Sequence, residues 1–158
     1  MNINVICVGK IKEKYFTDAI TEYSKRLSRF VKLNIIEVAD EKIPDNASAK
    51  EMEIVKKKEG ERILSKLPAN SFAVTLCVEG KELSSTEFAT KLSDISMTSS
   101  NITFIIGGSL GLSDDVKSAS QLRLSFGRIT LPHQLIRVVL LEQLYRAFKI
   151  NNNETYHK

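Results

Sequence analysis

Cysteine, histidine and proline are scarce in this chain, and long apolar runs are missing altogether. The two cysteines, Cys7 and Cys77, sit inside apolar runs (VICVG and VTLCV), and the only histidines are His133 and His157. A structural zinc site needs more ligands at closer spacing, so it is excluded, and the cysteines read as reduced core thiols. No apolar run approaches the roughly 18–20 residues that cross a bilayer. The opening MNINVICVGKIKEKY lacks the basic, apolar, small-residue order of a signal peptide, so a cytoplasmic location is expected. What is there fits one globular domain: 158 residues, 42% hydrophobic and 27% charged, enough for a sizeable core.

The net charge of +4 is modest, but it is unevenly spread. Residues 1–32 carry seven Lys/Arg against three acids, and residues 117–158 carry seven against two. The middle, 33–116, is acidic, with nine against fourteen. Basic ends suit an anionic partner touched by both, although solvated helix faces explain much of the pattern equally well. The cluster Lys56–Lys58 alternates with glutamates and reads as such a face.

Apolar periodicity divides the chain into five strands and five helices. Strands are expected over Asn2–Val8, Val31–Val38, Ser71–Val78, Asn101–Ile106 and Gln121–Phe126, with Glu79–Glu82 as a turn. Helices are expected over Lys14–Phe30, from Ser48 to Leu67, from Ser84 to Met97, a short one capped by Ser113, and Pro132–Lys149. Ser48 with Glu51 and Ser84 with Glu87 have capping-box spacing. The alternation predicts a single-domain α/β fold, a parallel sheet flanked by helices.

The chemistry is expected in the last third. Gly107-Gly-Ser-Leu-Gly111 follows a strand and precedes a helix, but it is neither a dinucleotide-binding fingerprint nor a P-loop. The Phe126–Leu131 loop (FGRITL) is equally ambiguous by itself. The final helix is apolar in almost every direction, with only Glu142, Arg146 and Lys149 as a polar stripe, so burial against a second copy is expected. Arg137 lies on the apolar side, where an ion pair and an anion contact are both open readings.

Val8–Lys10 (VGK), Phe104–Leu112 (FIIGGSLGL), Thr130–Phe148 (TLPHQLIRVVLLEQLYRAF) and Tyr156–Lys158 (YHK) together resemble the RlmH (YbeA-like) family of SPOUT methyltransferases. The resemblance implies an α/β-knot fold whose C-terminal trefoil knot occupies about residues 103–150, with a tail over 151–158. It implies S-adenosyl-L-methionine as cofactor, no metal, and methylation of N3 of a pseudouridine in 23S ribosomal RNA. Cofactor contacts carried over by position fall at Leu76, Gly107, Phe126, Gly127, Arg128, Ile129, Thr130 and Leu131. His133, Arg137, Tyr156, His157 and Lys158 are the implied catalytic candidates, with His133 or His157 as proton acceptor. Arg137 and Lys158 would face phosphate or a deprotonated imide. A homodimer is implied, with the tail completing a site that includes residues of the other subunit, and with the subunit that donates the tail left open. Many relatives have a proline before the Tyr-His pair where Thr155 stands here. The substrate is expected to be the large subunit or whole ribosome rather than naked RNA. From the residues alone, a nucleotide-binding enzyme of another class or a non-catalytic RNA-binding module also stays open.

Overall fold

A computed structural model describes all 158 residues. Strands and helices alternate along the chain as β1 (Asn2–Val8), α1 (Lys14–Leu27), β2 (Lys32–Val38), α2 (Ala49–Lys66), β3 (Phe72–Glu82), α3 (Ser85–Ser96), β4 (Asn101–Ile106), α4 (Asp114–Ala119), β5 (Leu122–Ser125) and α5 (His133–Asn151). Every strand pair is parallel, in the order β2-β1-β4-β3-β5.

Both faces of the sheet are covered at its centre, which is why β1, β4 and the first half of β3 are mostly apolar, whereas the edge strands β2 and β5 alternate. Along β1, Ile3, Val5 and Cys7 join the larger core with Leu27 of α1, Leu92 of α3 and Leu140 and Leu144 of α5. Ile6 and Val8, pointing the other way, meet Ile63 of α2 and Val116 of α4. The period-two alternation of a strand thus sorts α1, α3 and α5 to one face and α2 and α4 to the other. Both capping boxes form: Glu51 and Glu87 backbone N–H groups each donate to the serine hydroxyl at 3.1 Å, and the glutamates accept in return. Ser113 caps α4 through its hydroxyl alone, accepting from the Val116 N–H.

Several expected boundaries shift by a residue or two, and three of the shifts have a clear structural cause. Helix α1 stops at Leu27, because the chain turns there and Phe30 stacks on Phe148 at 5.4 Å between ring centroids. Pro132 caps α5 in an extended conformation (ψ 136°) instead of lying in its first turn. The largest change is in β3, where Glu79–Glu82 is not a hairpin-like turn. Leu124 of β5 is in register with Leu76 and again with Lys81, so Cys77–Gly80 bulge out before pairing resumes. Gly80 makes this possible, since a Cβ there would lie 2.7 Å from the Leu124 carbonyl carbon.

Helix α5 lies against both α1 and α3. Much of the burial expected from a second copy is therefore supplied by the chain itself: Leu140, Leu141, Leu144 and Ala147 are all buried. Leu135, Ile136, Val138 and Val139, in the first half of α5, remain only half-buried.

Candidate active site

The C-terminal ends of β3, β4 and β5 open onto one cavity of about 670 Å³. That size lies within the ~300–1,000 Å³ of small-molecule sites, and strand ends are where open parallel sheets place them. Leu76, Gly107, Phe126, Gly127, Ile129, Thr130 and Leu131 all line it, so seven of the eight expected cofactor contacts come together. Arg128 does not; its side chain is exposed between lining neighbours, which leaves its backbone as the part that can contribute.

Each loop is held by its own short-range bonds. The Gly111 N–H donates to the Gly108 carbonyl at 3.1 Å, folding the glycine loop back on itself. The Ser125 hydroxyl donates to the Val78 carbonyl at 2.9 Å and accepts from the Gly127 N–H at 3.1 Å, tying the β3 bulge to the loop after β5. Gly127 has φ 119°, a conformation open to glycine and strained for other residues. Beyond it, the backbone N–H groups of Arg128, Ile129, Thr130 and Leu131 donate to no protein acceptor. Ile129 is 80% exposed despite its apolar side chain. A row of free donors beside apolar walls is chemically suited to a ligand with a flat ring and polar edges.

His133 also lines the cavity, where α5 begins. Its Nδ1 is buried without a partner. Burial, and next the charge of Arg137, hold its pKa below the ordinary histidine range, against the opposing pull of Asp40. The neutral imidazole is therefore the form at neutral pH, as a proton acceptor requires. Because the folded pKa is depressed, the unfolded chain takes up the proton first as pH falls below about 6.5. The stability contribution is present above that pH and lost below it. Melting temperature should therefore fall more steeply between about pH 7 and pH 5 in the parent than in His133→Gln.

Sequence reasoning missed Glu59 and the bulge. Glu59 of α2 is only 5% exposed, accepts from the Glu41 N–H at 3.0 Å, and is pushed up in pKa by burial. Its carboxylate lies behind Gly108, 3.2 Å from where a Cβ would stand. The one sequence signal is its position between Val55 at i−4 and Ile63 at i+4, the buried face of α2, which the exposed Glu53 and Glu61 do not share. Cys77, Val78 and Glu79 line the cavity because of the bulge, which the EGKE stretch disguised as a turn. The thiol of Cys77 is raised by burial, and that of the buried Cys7 to about 12, so neither is an activated nucleophile.

The remaining candidates are elsewhere. Arg137 is 3% exposed and donates to Glu37 at 2.7 Å and to the carbonyls of Val8 and Gly9 at 3.0 and 2.7 Å. The ion-paired reading holds, and the expected phosphate or imide contact is not available to a guanidinium already engaged this way. Tyr156 stacks edge-on against Tyr145 at 4.9 Å and donates to Glu142, while His157 lies 3.2 Å from Arg146. Lys158 is exposed. Glu142 is nine residues past His133, roughly 13–14 Å along the helix, so the tail and the cavity of one chain are apart.

The profile described as "Predicted SPOUT methyltransferase" matches residues 1–157. The chain belongs to the SPOUT methyltransferase family. Two SPOUT relatives, from Clostridioides difficile and Lactobacillus delbrueckii subsp. bulgaricus, are 56% and 55% identical over 159 aligned residues. The alignments cover all of both chains, and both relatives carry the name ribosomal RNA large subunit methyltransferase H. Solved structures share this fold at low identity. A methylase family protein from Haemophilus influenzae has a TM-score of 0.54 at 12% identity, covering 99% of this chain and 70% of that one. A Legionella pneumophila protein described as a methyltransferase, solved with bound SAM, has a TM-score of 0.54 at 15% identity, covering 94% and 66%. At these identities the likeness concerns the fold alone.

Proposed function

We propose that this SPOUT protein is an S-adenosyl-L-methionine-dependent methyltransferase of ribosomal RNA, acting on N3 of a pseudouridine in 23S RNA within assembled subunits or ribosomes. The observation that carries the reading is the cavity, where Ile129, Thr130 and Leu131, whose N–H groups are free, stand beside the apolar walls of Leu76 and Ile106. These residues fit the proposed cofactor: backbone groups can pair with an adenine edge while the side chains enclose its faces. The full-length relatives named as ribosomal RNA large subunit methyltransferases support the substrate class.

When bound, the cofactor supplies a sulfonium methyl group that is already a strong electrophile. The chain's part is to hold cofactor and acceptor nitrogen in line, a contribution of proximity and orientation. In this reading the neutral His133 at the cavity takes the N3 proton, with His157 as the other candidate. Arg137 acts as a positioning residue, fixing the first turn of α5 to the ends of β1 and β2.

In this reading the connections around β5 and α5 form the family's trefoil knot, and two copies pair through the half-buried apolar residues of α5 in a cytoplasmic homodimer. The separation of tail and cavity within one chain supports a site shared between subunits, with Tyr156, His157 and Lys158 given by the partner. Transfer of a labelled methyl group to ribosomal particles from a strain lacking this activity tests the proposal. The parent should label 23S RNA in particles, with little labelling of naked RNA. Deleting Tyr156–Lys158 should reduce turnover at least about 100-fold, with cofactor affinity retained. No labelling by the intact protein despite cofactor binding sinks the reading.

A further inference from the structure

We propose that the connection between β1 and α1 is the landing surface for the RNA strand carrying the target nucleotide, with Lys10 and Lys12 on its phosphates and Tyr15 stacked on a neighbouring base. The inference rests on the methyltransferase reading above and adds residues that neither the cavity nor the tail contains.

Strand β1 delivers this connection directly to the site. Gly9 is buried, its carbonyl is held by Arg137 at 2.7 Å, and a Cβ on it would lie 3.9 Å from Cε1 of His133. Lys10 is the next residue, and it is exposed, as is Lys12. Neither takes part in any of the ion pairs of the fold. The nearest acid in sequence, Glu13, is half-buried with one carboxylate oxygen fully enclosed, so it is turned inward and does not pair with them. Lys14 differs, being neutralised by Asp18 at 2.6 Å.

Tyr15 is 68% exposed, and its hydroxyl makes no hydrogen bond within the protein. Its ring leans on Phe16 at 4.6 Å between centroids, which braces it without burying it. A large aromatic left in solvent contributes little to the core. Next to two unpaired cations it has the make-up of a single-stranded RNA platform, in which cations track the backbone and rings stack on bases. Reaching a pseudouridine N3 requires the nucleotide to leave its stack, so neighbouring bases need support close to the cavity. An acidic protein surface would use the lysines but would leave the ring without a role.

The test uses the full-length protein and ribosomal particles that the parent methylates. Lys10→Gln/Lys12→Gln should raise KM for the particles about ten-fold at low salt and lower the slope of log affinity against log salt by about two. Tyr15→Ala should weaken particle binding about 5- to 100-fold, and Tyr15→Phe should restore it. Cofactor affinity and melting temperature should match the parent in all three. A double variant with parental KM and salt slope overturns the proposal. Weakened binding with an unchanged slope overturns it too, because it marks a contact with protein. A parent that methylates no particle defeats the functional reading instead.

Discussion

Arg137→Leu is expected to destabilise the protein by about 3 kcal/mol, the low end of the cost of breaking a buried charge pair. The low end applies because the Glu37 side chain is 36% exposed and can be rehydrated once its partner is gone. The carbonyls of Val8 and Gly9 cannot be, since both residues are buried and lose a charged donor. For a domain of this size the loss corresponds to a melting temperature roughly 6–12 °C lower. Arg137→Lys should recover only part of it, because one ammonium cannot reproduce a fork reaching a carboxylate and two carbonyls together. Thermal unfolding decides the magnitude. Salt dependence of particle binding decides the role: a phosphate contact would flatten the slope in Arg137→Leu, and a positioning residue leaves it as it was.

Gly107→Ala should weaken cofactor binding at least about ten-fold, the equivalent of ~1.4 kcal/mol. The added methyl carbon would lie 2.8 and 2.9 Å from the carbonyl carbon and oxygen of Gly111, and 3.0 Å from Cδ2 of Leu112. A side chain could swing aside, but the first two contacts are backbone, so the whole glycine loop must open. That loop is one wall of the cavity, and its displacement is felt by anything bound there. Calorimetric titration with S-adenosyl-L-methionine checks the effect. An affinity within about two-fold of the parent would mean that this wall does not touch the cofactor.

Much of the framework was legible because it is written in local terms. Ser48 with Glu51 and Ser84 with Glu87 announce their helices by spacing alone, and the strands follow from short apolar runs. The glycine loop and the 126–131 loop are found at strand ends by the same logic. Arg137 stood out on the apolar side of its helix, but its partners were not legible, because Glu37 is 100 residues away and the carbonyls it holds carry no sequence signal. Glu59 was passed over among other helix glutamates, although Val55 and Ile63 at i−4 and i+4 put it on the buried face of α2. The β3 bulge was missed because a glycine between glutamate and lysine reads as a turn, whereas here it lets β5 pass close by. The place of the tail depends on rings and charges along α5 that composition cannot rank.

That bulge has a further implication. The ladder between β3 and β5 closes again on Leu124 after leaving Cys77–Gly80 outside the pairing. Four residues thus stand outside the ladder while the strand pairs on both sides of it. Three of them, Cys77, Val78 and Glu79, form part of the chamber wall. Lengthening or shortening this slack would resize the chamber while every strand kept its neighbours.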